Sequence, residues 1–329
     1  MKLGIDTWSI HSQGWDVFKT MEYIKEIGAD VAHLSGAPEN MEDSFLKSVR
    51  ERANELGLEI EAGMGSICPS STAFGPQRAG TAERTSKMLH VASMLGSKVL
   101  KCYLGGRGDR KTDTPLNEHI QNSVSTLKAV REQAMDLGIK LAVENHGDLQ
   151  CRELKMLIEE AGPEYVGACF DSGNAAHLGE DPLVALEYIA PYVVTSHIRD
   201  SVVWSHPKGA AVQWVAMGDG NIGMEKLAER YKTICSQATF TIEIITGSPP
   251  RILNYLEEDY WDEFPDMPAW EFARFEKLVR NGQPYIGTMV TIAGGEDVPP
   301  EYKAARIAQQ RYDLERSVKY CREVLGVGE

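Results

Sequence analysis

The sequence predicts an α/β protein, a (β/α)8 TIM barrel with a long aromatic-rich insert between the eighth strand and the last helix. Three observations lead there. Short apolar, β-branched runs alternate with amphipathic helical patterns, the signature of a parallel sheet covered by helices. Eight such runs can be marked, and eight is the number that closes a barrel of about 250 residues. The chain has 329 residues, and the surplus falls in one stretch, so a single barrel domain over 1–329 with an insert at 246–300 accounts for the length.

The expected strands cover residues 2–7, 30–34, 58–63, 98–103, 139–144, 166–171, 193–198 and 240–244. Between them lie helical patterns such as DVFKTMEYIKEIG, FLKSVRERANELG, ERTSKMLHVASMLG and the stretch around LKAVREQAMDLG. Several end in Leu-Gly or Ile-Gly, a C-cap that leads directly into the next strand. Between the seventh and eighth strands the sequence predicts a long loop over 199–221. After the eighth strand no helix begins at once; only EYKAARIAQQRYDLERSVKYCREVLG can serve as the eighth. The intervening insert is rich in Trp, Tyr, Phe and Pro, carries its own short amphipathic helix, and emerges at the C-terminal rim, where barrel enzymes keep their active sites. It is expected to pack against the barrel; the alternative is a lid or a subunit contact.

Composition narrows the function classes. The chain is 43% hydrophobic and 25% charged, ordinary for a globular protein. With 34 Lys+Arg against 48 Asp+Glu, its net charge of −14 would repel a phosphate backbone, and no basic stripe counters it, so no nucleic-acid partner is expected. The six cysteines are scattered without a CxxC pair, which fits buried thiols in a reducing compartment. The N-terminus MKLGIDTWSI runs straight into a strand, and no apolar run approaches the roughly 20 residues of a membrane span. The expected location is cytoplasmic, with no membrane partner.

Chemistry concentrates at four strand ends. VENH closes strand five at Glu144, CFDSGN strand six at Asp171, VTSHIRD strand seven at His197, and FTIEII strand eight at Glu243. A lone Asp at a strand end is usually a helix cap, and a lone His usually a satisfied core residue. On four neighbouring strands these side chains would converge, and three buried carboxylates repel one another at a cost of several kcal/mol unless a cation joins them. Two Glu, one Asp and one His suit Mn²⁺, Mg²⁺, Co²⁺ or Fe²⁺, with zinc still open.

Other mouth residues have two readings each. His146, two residues past Glu144, is a partner for a carboxylate or a general base near neutral pH. Lys101, inside strand four, either points into the mouth toward a substrate oxygen or snorkels outward. Trp8 stacks on a face of the substrate or plugs the barrel end, and Ser9, His33 and residues 65–71 lie at neighbouring strand ends. Arg199, Asp200, His206 and Lys208 come after strand seven, where most charges are solvated.

The chain resembles the xylose-isomerase-like TIM barrels, the sugar phosphate isomerase/epimerase superfamily that also holds ketose 3-epimerases, inosose dehydratases and endonuclease IV. The resemblance covers about residues 1–245 and the last helix, and is strongest from AVENH through GDGNIG to FTIEII. It implies that Glu144, Asp171, His197 and Glu243 bind a divalent metal, Mn²⁺ first among candidates, and that the two glutamates move a proton beside a sugar carbonyl as an enediolate forms. Family epimerases commonly place a His three residues after the Asp; here Asn174 stands there, with His177 three further on, either a substrate contact or a helix-turn residue. Lys208 precedes GDGNIG much as a substrate-binding basic residue does in relatives.

The fate of the enolate decides the reaction. Reprotonation gives isomerisation or epimerisation, as in a ketose 3-epimerase; expulsion of a β-substituent gives a lyase. The long insert and His146 favour the lyase branch, resembling the catalytic subunit of C-glycoside deglycosidases, which act on 3-oxo-glycosides and pair with a small β-rich subunit. The partners implied are a small-molecule sugar or glycoside and either further copies of the chain or such a subunit. An endonuclease IV-like phosphodiesterase is disfavoured, since it uses additional early-strand histidines and an Asp-x-His where this chain reads AVQWVAMGDG. A non-catalytic sugar-binding barrel is disfavoured by the intact ligand set.

Overall fold

A computed structural model of the chain describes residues 1–74, 80–292 and 297–328. In chain order the strands are β1 (Leu3–Asp6), β2 (Val31–Leu34), β3 (Glu59–Ser66), β4 (Val99–Tyr103), β5 (Lys140–Glu144), β6 (Val166–Asp171), β7 (Val193–His197), β8 (Asp200–His206), β9 (Gly209–Val215), β10 (Phe240–Ile242) and β11 (Arg251–Leu253). Eight form one parallel sheet in the order β10-β1-β2-β3-β4-β5-β6-β7. Ile198 closes it into a barrel: its amide donates to the Thr241 carbonyl at 2.7 Å, and its carbonyl accepts from the Glu243 amide at 3.2 Å. Helices alternate with the strands, and the Leu-Gly stops at Gly57, Gly96 and Gly138 each end one.

Strand alternation turns every second side chain inward. Midway along the barrel these positions are small and apolar, with Val99, Ala142 and Cys169 in one cluster. Toward the C-terminal end the buried layer is polar: Asp6, His33, Glu61, Lys101, Glu144, Asp171 and His197. A barrel interior is ordinarily filled by branched apolar residues, so this belt of charge marks the end where chemistry is placed.

Residues 199–221 are not the expected loop. β8 and β9 form an antiparallel hairpin, and β11 adds a third strand beside β9. The runs SVVWS and AAVQWV carry the β-branched and aromatic content of strands, and His-Pro-Lys-Gly between them is a turn. Gly209 sits where β11 passes closest: a Cβ there would lie 2.4 Å from the Leu253 carbonyl.

The insert holds β11 and two helices, Glu258–Asp262 and Ala269–Asn281, where one was expected; its residues 293–296 lie outside the described residues. Tyr255, Tyr260, Trp261, Phe264, Phe272 and Phe275 pack ring against ring at 4.9 to 6.3 Å. Arg110, in the segment after β4, anchors the insert by donating to the Glu263 carbonyl at 3.0 Å. The long helix Pro300–Glu323 then completes the barrel. All six cysteines are free and buried. Among the described residues no helix is long and apolar enough to cross a membrane.

Glu180, after β6, accepts from the Cys151 amide at 3.1 Å and so fixes the start of the helix Cys151–Ala161. Burial pushes its pKa up to about 8, against the Cys151 amide and with the help of Glu153 and Glu271. A raised carboxyl pKa contributes stability that is complete below the unfolded value of about 4.3 and is lost as pH rises toward 8. Glu180→Gln keeps an acceptor and removes the ionisation. Its stability relative to wild type should climb from pH 5 to pH 8 by on the order of 1 kcal/mol per unit, read from denaturant midpoints; a pH-independent difference would refute the neutral carboxyl.

Candidate metal centre

Glu144 ends β5, Asp171 ends β6, His197 ends β7, and Glu243 comes directly after β10. Ligand atoms of all four lie within 4.8 Å of one another. His197 Nδ1 is 3.4 Å from both Glu144 Oε1 and Glu243 Oε2, and neither ring nitrogen makes a hydrogen bond of ordinary geometry. Three carboxylates and an imidazole with unsatisfied donor atoms fit a hard or borderline divalent cation.

Two side chains carry compensating charge. Lys101 points into the mouth, its Nζ 2.6 Å from Glu144 Oε2. Arg199 pairs with Asp171, reaches Glu243 Oε2 at 2.8 Å and stands 3.7 Å from Glu144 Oε1. Burial would raise the pKa of Glu144, but Lys101 and then His197 outweigh it and hold the carboxyl well below its ordinary range. Glu243 is likewise lowered, Arg199 and His197 overcoming burial. Asp171 goes the other way: burial, with Glu144 and Glu243 as like charges, lifts it to about 7 against Arg199. Burial would lower the pKa of His197, but Cys169 and then Glu144, Glu243 and Asp6 outweigh it and hold the imidazole well above its usual range.

A second polar layer lies under His197. Asp6 Oδ2 is 3.3 Å from His197 Nε2 and 3.8 Å from His33 Nε2, and His33 Nδ1 is 3.0 Å from Glu61 Oε2. Thr195 donates to the same Glu61 oxygen at 2.6 Å. Asp6 is itself held by the Trp8 amide at 2.8 Å and the Ser35 hydroxyl at 2.6 Å. Asp6, His33 and His197 thus group three ligand-type side chains at one edge of the centre. A carboxylate on the far nitrogen of an imidazole fixes the ring and its tautomer. Sequence reasoning missed Asp6 and Glu61. LGID ends in a carboxylate just as AVE does, and that parallel was the available signal.

The other expected residues divide. Asn174 donates to Asp171 Oδ2 at 2.8 Å and Glu144 Oε1 at 3.3 Å, so it braces two carboxylates. His146 stacks on Tyr103 at 4.1 Å and donates from Nδ1 to the Gly105 carbonyl at 2.8 Å, which leaves Nε2 as the free nitrogen. Trp8 stands half-exposed at the rim, stacked on His11 at 4.0 Å, and plugs nothing. Lys208 is exposed at the turn between β8 and β9. His177 stacks on Trp214 at 4.0 Å, and the Arg199 guanidinium covers the same indole at 4.2 Å. Gly173 permits that approach, since a Cβ would lie 2.7 Å from Trp214 Nε1 and 2.9 Å from Arg199 Cβ.

Comparison with known proteins agrees with this architecture. The family described as xylose isomerase-like TIM barrel matches residues 18–263. An uncharacterized Escherichia coli K12 protein, YihM, is 24% identical over 57% of this chain and 52% of its own length. A 3-oxo-isoapionate decarboxylase of Pectobacterium atrosepticum is 22% identical over 55% of this chain and 59% of its own. The matches therefore span little more than half the length of these curated relatives. A crystal structure of D-psicose 3-epimerase superposes with a TM-score of 0.63 at 16% identity, covering 99% of this chain and all of that one, a likeness of fold.

Lys101→Met should expose how tightly charge is balanced. It keeps the volume and deprives Glu144 of its nearest cation, so chemical denaturation in EDTA should show a loss of about 3–5 kcal/mol, typical when one partner of a buried pair is removed. A loss below about 1 kcal/mol would mean that Arg199 and His197 compensate Glu144 unaided.

Proposed function

Since the chain belongs to the xylose isomerase-like TIM barrel family, we propose that it is a divalent-metal-dependent carbohydrate enzyme that removes a proton next to a sugar carbonyl. The observation that carries this reading is the convergence of Glu144, Asp171, His197 and Glu243 inside 4.8 Å at the catalytic end of the barrel. These four would hold the ion, with Mn²⁺ the first candidate. Bound there, a divalent cation draws electron density from a carbonyl oxygen and lowers the cost of breaking the adjacent C–H bond.

The chain's own groups then divide the work. Glu243 is the least buried of the three carboxylates, its side chain 12% exposed, while Glu144 is fully buried and clamped by Lys101. Glu243 takes the proton, and the C–H electron pair moves toward the carbonyl oxygen. Glu144 and His146, whose Nε2 is free, are the carriers that can return a proton. Return to another face or atom gives epimerisation or isomerisation. In a 3-oxo-glycoside the proton leaves C2 and the electron pair expels the aglycone from C1, a lyase reaction. We favour the lyase because the insert, anchored by Arg110, adds a wall beside the mouth that a plain barrel lacks. The 3-oxo-isoapionate decarboxylase among the relatives also acts, by its name, on a 3-oxo sugar acid. A ketose 3-epimerase is the alternative.

We place the enzyme in the cytoplasm, where six free buried thiols persist. Exposed Trp270, Tyr302 and Tyr312, on the insert and the last helix, offer a surface for a second copy or a small β-rich subunit.

Proton NMR in D₂O with Mn²⁺-supplemented protein separates the branches. Chelator-sensitive deuterium incorporation into a free ketose is expected of an isomerase or epimerase, and aglycone release from a 3-oxo-glycoside of the lyase. Glu243→Ala should lower either rate at least about 100-fold and reduce bound metal, measured by elemental analysis; full activity with unchanged metal content would sink the assignment.

A further inference from the structure

Outward from the four residues of the carboxylate centre the site changes sign. Arg199 covers Trp214, Trp214 stacks on His177, and β11 brings Arg251 to the same side, opposite Val212 of β9. Beyond lies a cavity of about 350 Å³ whose lining includes Arg107, Lys111, Arg251, Asp259, Tyr260 and Glu263. Glu263 is shared by two cations, with Arg107 Nε at 3.0 Å and Lys111 Nζ at 2.9 Å. Arg251, exposed at the start of β11, makes no ion pair among the described residues. Three basic side chains therefore face two carboxylates there.

Buried polar groups around the cavity are also unpaired. The Tyr260 hydroxyl is 2% exposed and makes no hydrogen bond, and the Arg107 guanidinium lies 5.4 Å over its ring. Neither nitrogen of His177 makes a hydrogen bond of ordinary geometry, although it is buried. Burial, Arg251, Arg199 and Arg107 together keep His177 neutral. Arg251, Arg107 and Arg199 repel one another beside the cavity, a cost that an anion between them would offset. A carboxylate or phosphate matches the guanidinium fork.

We propose that Arg251 and Arg107 form an anion-binding subsite, so that the substrate presented to the carboxylate centre is an acidic sugar bearing a carboxylate or a phosphate. This rests on the reading of the barrel as a sugar enzyme and adds the charge of the sugar. It reverses the expectation that the chain's net charge of −14 sets: the protein repels anions overall and accepts one locally.

Isothermal titration calorimetry in EDTA, with D-glucose, D-glucuronate and D-glucose 6-phosphate as probes, tests the subsite without turnover. One charged sugar should bind at least about tenfold more tightly than glucose at low salt, with the preference shrinking as salt is raised. Arg251→Gln should lower the charged-to-neutral affinity ratio about tenfold, and Arg251→Lys should keep part of it. A preference for glucuronate identifies a sugar acid, and a preference for the phosphate identifies a sugar phosphate. Equal affinities for the three sugars, no measurable binding of either charged one, or an unchanged ratio in Arg251→Gln overturns the proposal. Because the titration is run in chelator, failure of the metal-dependent chemistry leaves this outcome unaffected, and the reverse also holds.

Discussion

Mutual repulsion among the buried carboxylates Glu144, Asp171 and Glu243 is the constraint on which the rest of the structure depends. They share a space of 4.8 Å with His197, where water cannot screen them. Every charged neighbour can be read as a response. Lys101 is drawn inward from a strand whose other buried residues are apolar, Arg199 bridges Asp171 and Glu243, and Asn174 braces Asp171 against Glu144. The compensation is incomplete, as Asp171 shows by holding its proton to about 7. Asp6 adds a fourth carboxylate to a cluster faced by Lys101, Arg199 and His197, and this crowding of acidic groups is what makes the centre a candidate cation site.

The same constraint explains the layering of the barrel. His197 can serve the upper group only if its ring is held, and Asp6 below it faces the nitrogen turned away from the carboxylates. His33 and Glu61 extend that support across two more strands. The apolar cluster of Val99, Ala142 and Cys169 keeps the charged layer dry from beneath. Outside the mouth the insert and the segment after β4 supply the opposite sign, through Arg251 and Arg107. Arg199 stands at the edge of the centre, paired with Asp171 and stacked over Trp214.

Much of this was legible in the sequence. All eight barrel strands appear where apolar runs predicted them, because burial on both faces leaves an unambiguous mark. The four residues of the centre were legible because each lies at or near the end of such a run. Asp6 and Glu61 were not, because one precedes an irregular turn and the other lies within a strand of alternating Glu, where charge reads as solvent exposure. The hairpin at 199–221 was missed because its polar ends resemble a loop, although its centres alternate as strands do. Arg251 could not be found from sequence at all. Its place is set by β11 pairing with β9 across a turn of the chain that no local pattern specifies.

The two glutamates of the centre are chemically unlike, although sequence makes them look equivalent. Glu144 is fully buried and held at 2.6 Å by an ammonium, so protonating it costs the loss of that pair. Glu243 is partly open, and its nearest cation, Arg199, is shared with Asp171. Arg199 can answer a proton arriving on Glu243 by leaning on Asp171 instead, whereas Lys101 has no second carboxylate at comparable distance among its ion pairs. A proton therefore moves onto and off Glu243 with less rearrangement than onto Glu144. The asymmetry comes from the cations, and it gives the centre one mobile and one fixed carboxylate.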